Sequence, residues 1–175
     1  MPHANSRMVR RYIDRFQRDE RYAKADEAIT ELIRAFPSNA DLSAVLLKVT
    51  AINKLYSTNI MAPFNVAKHI AHLHLDADIQ AGILSAVDAI WKSQGTRKHY
   101  FSFATKYCSW HNLTAYPIYD SFVAKSLAYY GTVVGDLREV GNLKASIDKL
   151  VSRDNLAGFT YKQLDKFLWL RGKEL

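Results

Sequence analysis

The chain has 175 residues, of which 49% are apolar and 23% charged, and its formal net charge is +7. This length suffices for one domain with a sizeable core, and the apolar content excludes a disordered chain. No apolar run approaches the roughly 20 residues that a bilayer core requires, so a membrane-spanning helix is excluded. The single Cys108 cannot form an internal disulfide, and the charged N-terminus has no apolar segment typical of a signal peptide. We therefore expect a cytoplasmic protein, which would be associated with the nucleoid if the organism is a prokaryote.

The excess of positive charge is concentrated near the N-terminus. Residues 1–24 contain seven Lys and Arg residues and three acidic residues, which gives this stretch +4 of the +7. Within it Met8, Tyr12 and Phe16 recur every four residues, and this spacing predicts a basic amphipathic helix over residues 1–24. The arginines of this helix form either a solvated face or a surface for a polyanionic partner.

The remainder of the chain also has the pattern of helices. Apolar residues recur at helical spacing, and no alternating strand pattern exceeds a few residues. We therefore predict an all-α fold, organised as a single compact domain of about eight to ten short helices. The third helix begins at a cap formed by Asn39 or Asp41 and ends near Tyr56. The other predicted helices cover residues 25–36, 65–72, 76–91, 100–110, 120–130, 142–153 and 160–171, and the polar residues 93–96 form a loop.

The stretch from Phe101 to Val123 holds the side chains best suited to chemistry. Its helix places Lys106 among aromatic and small apolar residues, where an ammonium group is partly desolvated. Desolvation favours the neutral amine, which is the form that attacks as a nucleophile. Asp120 follows a turn that contains proline and opens the next helix, where the macrodipole favours the ionised carboxylate. The two side chains can converge on one point, or Lys106 can extend to the surface while Asp120 only caps its helix.

Three short segments form a pattern along the chain, in the order Asn53-Lys-Leu-Tyr-Ser-Thr-Asn59-Ile60, Phe103-Ala-Thr-Lys106-Tyr and Pro117-Ile-Tyr-Asp120-Ser121-Phe-Val123. The last resembles the Pro-x-x-Asp-[Thr/Ser]-x-Val element of the helix-hairpin-helix DNA glycosylase superfamily. The second resembles the helix with the Schiff-base lysine in the 8-oxoguanine DNA glycosylase branch. The first resembles the stretch whose asparagine fills the gap left by an extruded base. The resemblance covers about residues 40–130 and implies a glycosylase-like fold.

The resemblance implies a DNA glycosylase with lyase activity, which flips a damaged or modified base such as 8-oxoguanine out of the duplex. Lys106 would attack the anomeric carbon and form an imine, and the imine would permit strand cleavage by β-elimination. Asp120 would stabilise the positive charge that develops on the sugar. No Leu-Pro-Gly-x-Gly hairpin precedes Lys106. The sequence has Gly95-Thr-Arg-Lys-His-Tyr100 in its place, and Lys98 of this segment is the reserve nucleophile.

The resemblance also implies which residues would contact the DNA, which we expect to be double-stranded. Asn59, together with Tyr56, would occupy the vacancy in the base stack. The candidates for phosphate contacts are Arg97, Lys98, Arg7, Arg10 and Arg11. The candidates for the walls of the base pocket are Phe64, Trp110, Phe167 and Trp169, although the helical spacing of these rings favours a place in the core.

The sequence offers one weak candidate for a metal site, at His69, His72 and His74. No cysteine or well-placed carboxylate completes a tetrahedral set there, so we expect no metal and no other cofactor. We expect the protein to be a monomer. Two further functions stay open: a non-catalytic DNA-binding module with a glycosylase-like fold, and a helical domain whose basic helix binds an acidic protein.

Overall fold

The computed structural model describes residues 1–92 and 98–175, with Lys98 and His99 described as helical backbone only. Over these residues the fold is all-α, with ten helices and no strand, as the sequence predicts. None of the described helices is long and apolar enough to cross a membrane. The helices are α1 (Ser6–Arg18), α2 (Glu20–Ala35), α3 (Leu42–Leu55), α4 (Pro63–Leu73), α5 (Asp76–Gln80), α6 (Ser85–Trp91), α7 (Lys98–His111), α8 (Ser121–Tyr130), α9 (Val140–Arg153) and α10 (Tyr161–Glu174).

Two predicted helices are interrupted. The basic helix predicted over residues 1–24 ends at Arg18, because the backbone of Asp19 is extended and its carboxylate accepts the backbone N–H of Arg21 at 3.1 Å. The helix predicted over residues 76–91 is two helices, α5 and α6, because Gly82 takes a φ of +73° between them. That left-handed conformation is readily available to glycine but ends a right-handed helix.

The chain forms two compact units. We call residues 24–112 the central unit, and residues 1–23 together with 113–175 the terminal unit, because the latter combines both ends of the chain. The sequence predicts a single domain, and no linker or change in composition marks this division.

The central unit is built around α7. This helix packs against α3, α5 and α6, and α3 also packs against α4. Every side chain from Phe101 to Trp110 is buried except that of Ser102. A helix that is buried on all sides must find partners for its polar groups within the protein.

Lys48 of α3 is fully buried and is held by three oxygen atoms. Its Nζ donates to the carbonyl oxygens of Phe36 at 3.1 Å and Ser38 at 2.8 Å, and to Oδ1 of Asn39 at 2.6 Å. The hydroxyl of Tyr107 on α7 donates to the same Oδ1 at 2.6 Å. The Lys48 network therefore joins α3 and α7 to the connection between α2 and α3.

Asp76, the first residue of α5, completes the Lys48 network. Its carboxylate accepts hydrogen bonds from the backbone N–H of Asn39 at 3.0 Å, from the Asn39 side-chain amide at 2.7 Å and from the Ser38 hydroxyl at 2.9 Å. Burial lowers the pKa of Lys48 to about 8, although the negative charge of Asp76 raises it. Asn39 is thus a buried link in this network, and the N-cap of α3 is Asp41, whose carboxylate accepts the backbone N–H of Ala44 at 2.7 Å.

We predict that Lys48 makes the stability of the protein increase with pH in the alkaline range. Its pKa is lower in the folded state than in the unfolded state, so the unfolded chain binds more protons between these two values. From pH 7.5 to 9.5 the contribution of Lys48 to the free energy of unfolding should increase by about 2 kcal/mol. Urea unfolding of the wild type and of Lys48→Met at both pH values measures this contribution as the difference between their profiles.

The Cys108 thiol changes the pH dependence of stability in the opposite direction, and comparison with Lys48→Met separates the two effects. Burial raises the pKa of the Cys108 thiol, so the unfolded chain loses this proton first and stability decreases with pH. Both proteins share that effect, and it cancels in the difference. Parallel profiles for the two proteins would contradict the prediction.

The terminal unit is built around α10, which packs against both α1 and α8, while α9 packs against α8. The contact between α8 and α10 is closest at Gly172, which is buried. A Cβ atom at this position would lie 2.0 Å from the carbonyl oxygen of Phe122. Only a residue without a side chain allows the two backbones to approach so closely.

Gly172→Ala should therefore destabilise the protein by about 1–3 kcal/mol, because α10 must move away from α8 to admit the methyl group. Gly141→Ala is the matched control, since Gly141 also lies in a helix but a Cβ atom there meets nothing within 4 Å. The control should be neutral or stabilise by about 0.5 kcal/mol, because alanine favours the helical backbone. Thermal unfolding of both variants measures the contrast, and equal effects would contradict it.

Candidate functional site

Lys106, the predicted nucleophile, is a buried lysine on α7. Only 5% of its surface is exposed, and its Nζ donates to the hydroxyl oxygen of Ser102, one helical turn earlier, at 2.7 Å. The neighbouring rings of Phe103 and Tyr107 lie on the same helix with their centroids 5.7 Å apart. The side chain is thus buried. The sequence had left open that it extends to the surface, and it does not.

Asp120, the second predicted catalytic residue, is the N-cap of α8. Its backbone is extended, with φ −147° and ψ 154°, and its carboxylate accepts the backbone N–H of Phe122 at 3.0 Å. This confirms that Asp120 opens the helix, as the sequence predicts. Lys106 belongs to the central unit and Asp120 to the terminal unit.

The loop between α3 and α4, residues 56–62, contains the predicted stack-filling residue Asn59. Asn59 has a φ of +56° and Ser57 a φ of +49°, so two residues that are not glycine take the left-handed conformation. Asparagine adopts this conformation more readily than most other residues because its side chain can bond to the nearby backbone. Asn59 is exposed to solvent.

Asn53 holds this loop in place. Its Oδ1 accepts the backbone N–H of Ile60 at 2.8 Å and the hydroxyl of Thr58 at 2.9 Å, while its Nδ2 donates to the carbonyl oxygen of Ile60 at 3.0 Å. Tyr56 is fixed too, because its hydroxyl donates to Oδ1 of Asp26 at 2.6 Å. The sequence pattern does not single out Asn53, and only its position six residues before Asn59 could have indicated the role.

Two large apolar side chains close to Asn59 in the sequence are exposed to solvent. Met61 is 81% exposed and Phe64, at the start of α4, is 54% exposed. The sequence from Leu42 to Leu75 contains no acidic residue, and two of its three lysines, Lys54 and Lys68, are exposed. The loop therefore presents apolar side chains within a segment that contains no acidic residue, and Met61 is a candidate that the sequence pattern did not reveal.

The four aromatic residues predicted for the base pocket lie in two different units. Phe64 and Trp110 belong to the central unit, where Trp110 is buried and its ring centroid lies 6.0 Å from that of Tyr56. Phe167 and Trp169 belong to the terminal unit, where Phe167 is fully buried and Trp169 half-buried. Their role in a base pocket stays a prediction.

Three of the predicted phosphate contacts lie on α1 and are exposed, namely Arg7, Arg10 and Arg11. The guanidinium of Arg11 lies 5.7 Å from the ring centroid of Tyr12. Arg97 and the side chain of Lys98 lie outside the described residues, as does the predicted loop over residues 93–96.

The histidines considered for a metal site contact helix carbonyls or end a helix. Nε2 of His69 lies 2.9 Å from the carbonyl oxygen of Ala89, and Nδ1 of His72 lies 2.6 Å from that of Lys68. His74 ends α4 with a φ of +49°. Within residues 1–92 and 98–175 no group of three His, Cys, Asp or Glu residues has a geometry that could hold a metal ion.

We predict that Asn53→Ala loosens the loop between α3 and α4. The variant removes three hydrogen bonds and leaves the N–H and carbonyl of Ile60 without this partner, so the free energy of unfolding should decrease by about 1–3 kcal/mol. Hydrogen exchange measured by NMR should show faster exchange of the Ile60 amide. Asn65→Ala is the matched control, because Asn65 is exposed on α4. Unchanged protection of Ile60 in Asn53→Ala would contradict the prediction.

Comparison with known proteins identifies the family of the chain. The model of the family HI_0787_N, described as an N-terminal domain, matches residues 8–116, which is more than half of the chain. An uncharacterized protein of Haemophilus influenzae is 37% identical over 141 residues, which cover 77% of this chain and 69% of that protein. No solved structure matches the chain. Neither description names an activity, and the resemblance to DNA glycosylases therefore stays a prediction. The chain belongs to the HI_0787_N family.

Proposed function

We propose that this protein is a DNA glycosylase with lyase activity, which removes a damaged or modified base such as 8-oxoguanine from double-stranded DNA. The observation that carries the proposal is the burial of Lys106, the residue that the resemblance assigns as nucleophile. Lysine is seldom buried without a structural or chemical role, because its charged form loses hydration. The protein would act as a monomer in the cytoplasm, at the nucleoid if the organism is a prokaryote.

Comparison with Lys48 supports a chemical role for Lys106. Lys48 is fully buried, and two of its three acceptors are backbone carbonyls that join neighbouring segments of the fold. The hydrogen bond from Lys106 to Ser102 has a side-chain hydroxyl on the same helix as its acceptor. A serine hydroxyl can also rotate, so it can release an amine that turns toward a substrate.

In the proposed reaction the neutral amine of Lys106 forms a bond to C1′ of the deoxyribose. The C1′–N bond to the base breaks, and the base leaves with the electron pair and takes up a proton. Loss of the amine proton and opening of the sugar ring give an imine between Lys106 and C1′. The imine acidifies the hydrogen at C2′, and its removal expels the 3′ phosphate. Water then hydrolyses the imine and restores the lysine.

Asp120 would stabilise the positive charge that the sugar acquires while the bond to the base breaks. Its carboxylate has a fixed position, because it accepts the backbone N–H of Phe122 at the start of α8. Lys98 is retained as the second candidate for the nucleophile. The proposal therefore requires Asp120 and one of the two lysines for activity.

The loop between α3 and α4 would enter the vacancy left by the flipped nucleotide. Asn59 is exposed there and already held in the left-handed conformation, which lowers the entropy cost of insertion. Met61 is a second candidate, since exposed apolar side chains of this kind can separate adjacent base pairs. Arg7, Arg10 and Arg11, together with Arg97 and Lys98, would contact phosphates and make binding depend on salt.

Borohydride trapping tests the proposal. The protein is incubated with borohydride and a panel of duplexes that carry single lesions, including 8-oxoguanine and an abasic site. Borohydride reduces the imine to a stable amine, so the wild type should become covalently attached to DNA. Lys106→Met should abolish this product, and Asp120→Asn should decrease its rate of formation on the order of 100-fold.

Lys149→Met is the matched control, because Lys149 is an exposed lysine on α9 that has no place in the proposed reaction. Circular dichroism establishes that each variant is folded before the comparison is made. Absence of a trapped product with every duplex would overturn the proposal, as would trapping that survives the combined removal of Lys106 and Lys98.

A non-catalytic DNA-binding module is the second candidate function. The observation that favours it is the exposed arginine face of α1, where neither Arg7 nor Arg10 forms an ion pair with any residue in the described part of the chain. DNA binding that weakens steeply with salt, without any trapping, would support this candidate. Absence of DNA binding even at low salt would favour instead a domain that binds an acidic protein.

A further inference from the structure

Four aromatic rings of the terminal unit form one cluster, which we call the Trp169 cluster. The Trp169 ring of α10 lies at its centre, with centroid distances of 5.1 Å to Tyr22, 6.2 Å to Phe16 and 6.3 Å to Phe122. Phe16 and Tyr22 also stack on each other at 5.2 Å with an interplanar angle of 30°. The cluster thus joins α1, the first turn of α2, α8 and α10.

The Trp169 cluster reaches the protein surface. Phe122 is 36% exposed, Tyr22 and Trp169 are half-buried, and Phe16 beneath them is 8% exposed. Burial of large aromatic rings is strongly favourable. The rings of this cluster that remain partly exposed can therefore gain stability by stacking on a further planar partner.

Positively charged groups surround these rings. Nζ of Lys173 lies 4.2 Å from the ring centroid of Trp169 and 5.4 Å from that of Tyr22, and it also donates to the Tyr22 hydroxyl at 3.1 Å. Nζ of Lys166 lies 4.6 Å from the centroid of Phe16. The Arg21 guanidinium lies 5.6 Å from the centroid of Tyr22.

Two of the nearby carboxylates are paired with arginines. Asp19 pairs with Arg21 at 2.7 Å, and Glu174 pairs with Arg15 while accepting the Tyr12 hydroxyl. Among the described residues no carboxylate forms an ion pair with Lys173. The terminal unit as a whole contains 15 Lys and Arg residues against 10 Asp and Glu residues. The surface around Trp169 therefore favours an anionic partner.

We infer that the Trp169 cluster is a binding surface for single-stranded nucleic acid, on which a base stacks against Trp169 while Lys173 moves from the ring face to a phosphate. A single strand supplies both an anionic backbone and unpaired bases whose flat faces are free to stack. An acidic peptide would use the cations, but Asp and Glu side chains have no aromatic ring to stack on Trp169, and in a duplex the base faces are covered by neighbouring base pairs. The inference does not rest on the proposed glycosylase activity.

Tryptophan fluorescence tests this inference directly, because Trp169 is in contact with solvent whereas Trp91 and Trp110 are 8% and 6% exposed. The full-length protein is titrated with oligo(dT) of about 15 nucleotides, a length that spans the usual site sizes. We expect saturable quenching of the emission in the wild type. Trp169→Phe should lose this quenching although it retains a ring. Quenching of equal size in Trp169→Phe, or none in the wild type at low salt, would overturn the inference.

Anisotropy of a labelled oligo(dT) measures the affinity in the same proteins. Trp169→Ala should weaken binding roughly 5- to 100-fold, and Trp169→Phe less, because stacking is lost fully in the first variant and partly in the second. Lys173→Gln should weaken binding and decrease the slope of log affinity against log salt by about 0.7. Lys149→Gln, an exposed lysine on α9, is the matched control and should bind like the wild type.

Two competitors separate the partner classes. Polyglutamate that displaces oligo(dT) as effectively as unlabelled oligo(dT) would assign the surface to acidic proteins and overturn the inference, and so would equal displacement by a blunt duplex. Oligo(dT) contains no lesion, so binding to it is measured whether or not borohydride trapping succeeds.

Discussion

The buried ammonium group of Lys48 is the constraint on which the central unit depends. A charge removed from water requires hydrogen-bond acceptors, and here they come from the carbonyls of Phe36 and Ser38 and from the side chain of Asn39. Asp76 then holds Asn39 at its backbone N–H and its amide, while Tyr107 brings α7 into the same network. The positions of α3, α5 and α7 are therefore coupled through polar contacts as well as through apolar packing.

This coupling bears on the proposed chemistry, because Tyr107 and the proposed nucleophile Lys106 are neighbours on α7. A helix fixed by a buried network holds its other side chains in defined positions, which a nucleophile needs if it is to approach one atom of a substrate. Lys48 and Lys106 have acceptors of different kinds. Lys48 organises the fold through several segments, and Lys106 donates to the Ser102 hydroxyl on its own helix.

In the terminal unit one helix serves both the fold and the proposed binding surface. One side of α10 is packed against α8 so closely that Gly172 is required, and Phe167 lies buried in the core. Trp169 and Lys173 of the same helix lie at the surface with the rings of Tyr22 and Phe122. Such a surface is held in place by the core beneath it, so its rings need little ordering before they bind a partner.

The sequence by itself determined the fold class, most of the helices and the cap at Asp120, because helical periodicity and capping depend on residues within a few positions of one another. It also drew attention to Lys106 through its apolar neighbours. It did not indicate the helix break at Gly82, the role of Asn53 or the burial of Lys48, since a lysine in an apolar helical pattern can equally extend to water. Only the tertiary structure decided these features, and only it brought Tyr22 to Trp169 from the opposite end of the chain. The physical reason is that burial and side-chain contacts depend on residues far apart in sequence, whereas helix formation is mainly local.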